Sequence, residues 1–220
     1  MNRLRLGFLA SHGGSNMQAI IDACRHGTLY AEPCVLISNN SRSGAMERAA
    51  REGIPARHLS SVTHPEPEAL DRAIMETLQH YGAEIICLAG YMRKLGPQTL
   101  NAYKNRVLNI HPALLPRFGG QGFYGERVHA AVLAAGERKS GPTVHLVDAH
   151  YDQGPIVAQR RVPVYTGDTV ETLAARVLEE EHRIYPETLQ RIATGELDLD
   201  ALAAADRTQS HGNAPYNPED

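Results

Sequence analysis

Short apolar runs alternate along this chain with longer stretches whose apolar positions recur at helical spacing. Residues 4–10, 34–38, 84–89 and 106–109 read as strands, and residues 16–25, 43–52 and 67–81 between them as amphipathic helices. Such alternation predicts an α/β protein with a mostly parallel sheet covered by helices on both faces. Beyond Pro116 the pattern changes to a glycine-rich stretch over 119–125, a helix over 126–135, and two strand candidates over 143–147 and 156–162. The connection between those two strands is short enough for antiparallel pairing, which makes the sheet mixed. A last helix is expected over 169–193, with Asp168 as N-cap and Glu171 in its acidic first turn. After Ala205 the chain is polar, proline-containing and aperiodic. The pattern therefore predicts one catalytic domain over 1–200 and a disordered tail over 206–220.

With 220 residues, 42% of them apolar, the chain suits a single domain with a substantial core. A net charge of -3 gives no electrostatic footprint for nucleic acid or an anionic membrane. No apolar run is long enough to span a bilayer, and the first residues lack the features of a signal peptide, so a cytoplasmic protein is expected. Cys24, Cys34 and Cys87 are odd in number and contain no Cys-x-x-Cys, which predicts reduced thiols. Among the eleven histidines, His111, His129, His145 and His150 match neither the His-x-x-x-His nor the His-Glu-x-x-His spacing, and no metal is expected. No Gly-x-Ser-x-Gly elbow is present, which argues against a serine hydrolase of the α/β class.

Three segments carry candidate chemistry. In Leu108-Asn109-Ile110-His111-Pro112-Ala113-Leu114-Leu115-Pro116, Asn109 and His111 stand two apart at the end of an apolar strand and project to one side. His111 can carry or release a proton near neutrality, and Asn109 offers an uncharged donor to a developing oxyanion. After the first strand, Ser11-His12-Gly13-Gly14-Ser15-Asn16 runs directly into a helix, where unpaired N–H groups form a cradle for a phosphate. The same residues also fit a plainer purpose, with Ser15 or Asn16 capping that helix. In Asp148-Ala149-His150-Tyr151-Asp152-Gln153-Gly154-Pro155, a carboxylate on a constrained turn could hold an imidazolium and raise its pKa. Spacing alone does not choose between Asp148 and Asp152.

The order of these segments resembles that in the phosphoribosylglycinamide formyltransferases. The resemblance rests on Gly14-Ser15-Asn16, Leu88-Ala89-Gly90-Tyr91-Met92-Arg93, Asn109-Ile110-His111-Pro112 with Leu114-Leu115-Pro116, Asp152-x-Gly154-Pro155-Ile156, and Glu181-His182-x-Ile184-Tyr185-Pro186. It covers roughly residues 4–195. The resemblance implies a single-domain, Rossmann-like formyltransferase fold. It implies transfer of the formyl group of 10-formyltetrahydrofolate, a co-substrate, to the amino group of glycinamide ribonucleotide, without a metal. By the same resemblance Asn109, His111 and Asp152 form the catalytic set, with Asp152 keeping the imidazole of His111 charged. Gly14, Ser15 and Asn16 hold the substrate phosphate, and Glu181 contacts the rest of that substrate. Met92, Arg93, Lys94 and Leu95, with Asn109, line the folate pocket. Small-molecule partners follow, in a monomer or homodimer.

Two positions depart from the family's pattern. Pro67 stands where many members place a folate-contacting arginine, and the loop from Gly119 to Gly125 with His129 replaces a histidine-containing loop. Formyltetrahydrofolate deformylase is the alternative that shares the Asn-x-His arrangement, but that relative lacks the Gly-Ser-Asn cradle. Methionyl-tRNA formyltransferase adds a nucleic-acid-binding domain that the pattern after residue 195 does not predict. A nucleotide-binding sensor without chemistry is a third alternative, against which the joint presence of Asn109, His111 and Asp152 weighs.

Overall fold

The computed structural model describes the backbone of residues 2–212 and the side chains of residues 2–206. Layering is decided by alternation in β1 (Leu4–Ala10), an interior strand of a seven-stranded sheet. Leu6, Phe8 and Ala10 pack into one apolar cluster and Leu9 into a second one on the opposite face. The chain continues through α1 (Ser15–Arg25), β2 (Ala31–Ser38), α2 (Gly44–Glu52), β3 (Ala56–His58), α3 (Pro67–His80), β4 (Ile85–Leu88), α4 (Pro97–Ala102) and β5 (Val107–His111). These five strands are mutually parallel. After α5 (Glu126–Ala134) and β6 (Lys139–Ser140), β7 (Thr143–Leu146) pairs antiparallel with β5, and β8 (Ile156–Gln159) antiparallel with β7. The order is therefore β3-β2-β1-β4-β5-β7-β8, the mixed, parallel-dominated sheet that the pattern predicts. Successive strands step outward from β1 on one side and then return to β4 on the other. The loops after β1 and β4 leave adjacent strands there, at the carboxyl edge where open α/β sheets place their crevice.

Helix α6 (Val170–Ala193) carries Leu173, Val177, Ile184, Tyr185 and Leu189 inward. The fully buried Tyr185 hydroxyl donates to the Leu108 carbonyl at 3.0 Å, tying α6 to the strand that bears Asn109 and His111. Thr169, not Asp168, is the N-cap: its hydroxyl accepts the Thr172 N–H, and Thr172 returns a bond to the Thr169 N–H. Asp168 pairs instead with Arg176 at 2.7 Å. The stretch expected as one strand over 156–162 divides, because β8 stays in the main sheet and β9 (Val162–Pro163) pairs with β6 in a separate ribbon.

The tail expectation is corrected in part. Helix α7 (Leu199–Gly212) extends seven residues into the stretch expected to be disordered, and residues 213–220 lie outside the described residues. Asp198 accepts the N–H groups of Asp200 and Ala201 at its start, and Leu199 and Ala203 bury against the core. Among the described residues no helix is long and apolar enough to cross a membrane.

Helix α4, absent from the sequence pattern, is capped from a distance. Its own N-cap, Gly96, has no side chain, and the buried Asp71 of α3 supplies the missing acceptor. Its carboxylate takes the N–H of Gln98 at 2.7 Å, the N–H of Thr99 at 3.1 Å and the Thr99 hydroxyl at 2.6 Å. A Cβ at position 96 would collide with that carboxyl group. We expect Asp71→Ala to lower unfolding free energy by about 2 kcal/mol, as a lost helix cap and stranded donors do. Urea melts check this, and a change within error of zero would remove Asp71 from the account.

Candidate active site

Three strand ends build the site. On β5, Leu108 and Ile110 turn into the cluster beneath α6, so Val107, Asn109 and His111 share the other face, and the last two emerge where the strand stops at Pro112. From the loop after β1, Ser11 donates its backbone N–H to the Gly90 carbonyl at 3.1 Å. Its hydroxyl accepts the Met92 N–H at 2.8 Å and donates to Asn39 at 2.6 Å. This residue, read in the sequence only as the start of the cradle segment, locks the loops after β1, β2 and β4 to one another.

A cavity of about 280 Å³ lies over β5, bounded by Asn109, His111, Asp152, Tyr91, Met92 and the stretch from Gly120 to Gly125. A smaller space of about 70 Å³ adjoins it, with Arg93, Lys94 and Leu95 on one wall and Asp148, His150 and Tyr151 on the other. Asn109 and Asp152 border both spaces. Met92 thus faces the first of these cavities, whereas Arg93, Lys94 and Leu95 face its extension. A larger cavity of about 680 Å³ lies on the other side of Asp152 against α7, but neither Asn109 nor His111 reaches it.

Asp152 is the carboxylate that meets the imidazole. Its Oδ2 lies 3.5 Å from His111 Nδ1 and accepts the Gly120 N–H at 2.9 Å, and its Oδ1 lies 3.4 Å from His145 Nε2. The backbone there is left-handed, with φ 54°. Gly119 has no Cβ, and one added there would press on Leu115 and Asp152. Asp148 stays at the surface, accepting the His150 N–H at 2.7 Å. Burial would raise the Asp152 pKa, but the neighbouring His145 and His111 imidazoles and the Gly120 N–H together carry it below the ordinary carboxylate value.

The expectation that Asp152 keeps His111 charged needs correction. Burial dominates and lowers the His111 pKa below 6.5, although Asp152 and the Phe118 carbonyl both act to raise it. His111 is only 3% exposed, and the loss of hydration outweighs a carboxylate standing 3.5 Å away. The hydrogen bonds fix its tautomer. Nε2 lies 2.7 Å from the Phe118 carbonyl, which can only accept, so Nε2 carries the proton and Nδ1 turns its lone pair toward Asp152.

His145 joins the candidate set as a side chain whose place there sequence reasoning missed. It stands opposite Asn109 in the β5 and β7 register, fully within the protein. Its Nδ1 donates to the Leu146 carbonyl at 2.9 Å, which leaves Nε2 to accept one Asn109 amide N–H at 3.0 Å. The second Asn109 N–H is thereby oriented. One signal was present in the sequence, a polar residue inside the apolar run Thr143-Val144-His145-Leu146, but its partner is defined only by strand register. His129 is buried on α5 with Nδ1 unpartnered and does not line the cavity, and His150 is exposed.

The cradle forms a second patch, joined to the first through Ser11. Gly14, in the left-handed region at φ 70°, is the N-cap of α1, and no side chain caps the helix. The plainer purpose for Ser15 or Asn16 is thus not fulfilled, and the first-turn N–H groups lack a side-chain acceptor. An added Cβ at Gly14 would stand 2.8 Å from Ala45 Cβ. Asn16 Nδ2 donates to Glu181 Oε2 at 2.6 Å, while the buried Asn16 Oδ1 has no partner. Burial pushes the Glu181 carboxyl up to about 7, against the lowering effect of Asn16. Among the described residues no group of His, Cys, Asp or Glu is placed to hold a metal ion.

A family model described as "Formyl transferase" matches residues 4–189. The chain is 43% identical over 193 residues to the chloroplastic phosphoribosylglycinamide formyltransferase of Vigna unguiculata, covering 87% of this chain and 62% of that protein. It is 37% identical to phosphoribosylglycinamide formyltransferase of Escherichia coli (strain K12), covering 89% and 90%. The chain thus spans less than two thirds of the plant relative, as it does of the chloroplastic phosphoribosylglycinamide formyltransferase of Arabidopsis thaliana (41% identity, 86% of this chain and 65% of that protein), and nearly all of the bacterial one. Glycinamide ribonucleotide transformylase 1 from Symbiobacterium toebii superposes with a TM-score of 0.84 at 45% identity, over 89% of this chain and 90% of that one. A formyltetrahydrofolate deformylase from Pseudomonas syringae shares the fold at 24% identity, with a TM-score of 0.78.

The raised Glu181 pKa sets a pH dependence of stability. Below about 4.5 the carboxyl is protonated whether the chain is folded or not. Between 4.5 and about 7 the unfolded chain releases the proton while the folded protein retains it, so stability falls as pH rises. Glu181→Gln should flatten this decline relative to the wild type, by roughly 3 kcal/mol across the window. Denaturant melts at pH 4.5 and 7.5 measure it, and parallel declines in the two proteins would contradict the burial argument.

Proposed function

The chain belongs to the formyl transferase family, and on that premise we propose that it transfers the formyl group of 10-formyltetrahydrofolate to the amino group of glycinamide ribonucleotide, the third step of de novo purine biosynthesis. The observation that carries this proposal is the convergence of Asn109, His111 and Asp152 on one cavity of about 280 Å³. These are donors and a proton acceptor suited to a tetrahedral oxyanion. Gly14, Ser15 and Asn16 receive the substrate phosphate on the uncapped start of α1, and Glu181, held by Asn16, meets the sugar or amide portion. Met92 and Asn109, with Arg93, Lys94 and Leu95 in the adjoining space, receive the folate.

The chemistry follows from the hydrogen-bond states. When the substrate amine forms its bond to the formyl carbon, the carbonyl π pair moves onto oxygen. Asn109 presents the N–H that His145 leaves free, and His111 presents its Nε2–H, which the Phe118 carbonyl otherwise accepts. A neutral donor suits this work, because it does not attract the oxygen before charge develops on it. As charge accumulates, Asp152 stabilises any proton gained at His111 Nδ1. Collapse of the adduct breaks the bond to the folate nitrogen, which leaves with the proton that the amine has lost. The burial of His111 and His145 keeps water from competing for these donors.

We expect 10-formyltetrahydrofolate to be consumed only when glycinamide ribonucleotide is present, as followed by absorbance. Consumption at the same rate without the nucleotide would favour the deformylase instead, and none in either case would reject both. Asn109→Ala and His111→Ala should each lower turnover by about a hundredfold or more with melting temperature preserved, the scale of losing an oxyanion donor. Near wild-type turnover in either variant would withdraw its assigned role.

A further inference from the structure

One cavity outside the proposed active site is built for an anion. It measures about 330 Å³ and lies between the segment from Leu114 to Phe118, helix α5 and the ribbon of β6 and β9. Its floor is apolar, formed by Phe118 and by Val132, which packs with Val162, Leu173 and Val177. Its rim is cationic, with Arg117, Lys139 and Arg161 around one carboxylate, Glu137. Only Arg117 has a carboxylate partner, Glu137 at 2.5 Å; among the described residues Lys139 and Arg161 form no ion pair. The cavity thus holds two positive charges in excess.

Ser140 supplies the independent sign of a ligand. It is 1% exposed, it lines this cavity, and its hydroxyl has no hydrogen-bond partner. A buried hydroxyl left unpaired costs roughly 1–3 kcal/mol, and an acceptor entering the cavity would recover that loss. The ribbon holds the donors in place, since Ser140 pairs with Val162, Lys139 with Pro163, and Arg161 immediately precedes β9.

We infer that this cavity binds a phosphate dianion, free or as a monoester. Its double charge matches the excess on the rim. Its tetrahedral oxygens can receive the Arg117 and Arg161 guanidinium forks, the Lys139 ammonium and the Ser140 hydroxyl from different directions, where a planar carboxylate would leave donors unused. The apolar floor accommodates whatever carries the phosphate. The site also adjoins the proposed catalytic histidine, because its wall includes Phe118, whose carbonyl accepts the His111 Nε2–H. Bound phosphate therefore sits against the residue that holds His111.

Calorimetric titration of the full chain at low ionic strength, with inorganic phosphate and separately with ribose 5-phosphate, tests this. Lys139→Ala/Arg161→Ala removes the rim charge, and Ser15→Asp blocks the α1 cradle while keeping a residue suited to a helix start. The wild type should take two phosphates, each variant one, and the combined variant none. Within Ser15→Asp, tighter ribose 5-phosphate identifies a sugar phosphate and tighter inorganic phosphate identifies the free ion; binding of neither overturns the proposal. A single wild-type equivalent abolished by Ser15→Asp alone overturns it also. A single equivalent abolished by Lys139→Ala/Arg161→Ala alone would keep this site and refute the cradle instead. Should the double alanine variant melt early, Lys139→Gln/Arg161→Gln replaces it, with the same loss of one equivalent expected.

Discussion

Burial of a carboxylate between two imidazoles is the constraint around which the end of the sheet is organised. Asp152 brings its charge to within 3.5 Å of His111 and 3.4 Å of His145, with its side chain only 11% exposed. Such a charge is costly away from water unless its acceptor capacity is met. Gly120 meets part of it with a backbone N–H, and the two imidazole rings close the carboxylate off from water on either side. Several local features follow: the left-handed backbone at Asp152, the missing side chain at Gly119, and the pairing of β7 beside β5 that sets His145 opposite Asn109. A conventional right-handed turn at 152 would aim the carboxylate elsewhere.

Much of this was legible in the sequence, for physical reasons that differ from residue to residue. The strand over 4–10 is apolar on both faces because helices cover both, and its bounds coincide with β1. Asn109 and His111 were legible as a pair because strand periodicity puts them on one side, and Pro112 follows the strand end. What stayed hidden depends on contacts distant in sequence. Helix α4 is capped by a residue of α3, so no local cap announces it. The importance of His145 lies in strand register. Spacing left Asp148 and Asp152 undivided, since the choice rests on a turn conformation and only the family resemblance pointed to Asp152; the direction of the His111 titration rests on burial, which no spacing reveals. In α7 few apolar residues are inward, and the alanines between them carry no clear periodicity.

The division of labour between the two patches also comes from topology. Because the strand order turns back at β1, the loop that begins α1 and the loop that follows β4 leave the sheet side by side, and Ser11 bonds one to the other. In the proposed reaction an anion on α1 and a flat donor against Met92 to Leu95 would then be neighbours, close to Asn109 and His111. The Phe118 carbonyl accepts the His111 Nε2–H and must yield it to the oxyanion in the proposed reaction.

The account stands most directly on the His111 titration, which NMR of its imidazole protons measures in the wild type and in Asp152→Asn. Burial should place the wild-type midpoint below 6.5, and loss of the carboxylate should lower it further. A wild-type midpoint above 6.5, or one that Asp152→Asn leaves unchanged, would contradict the account.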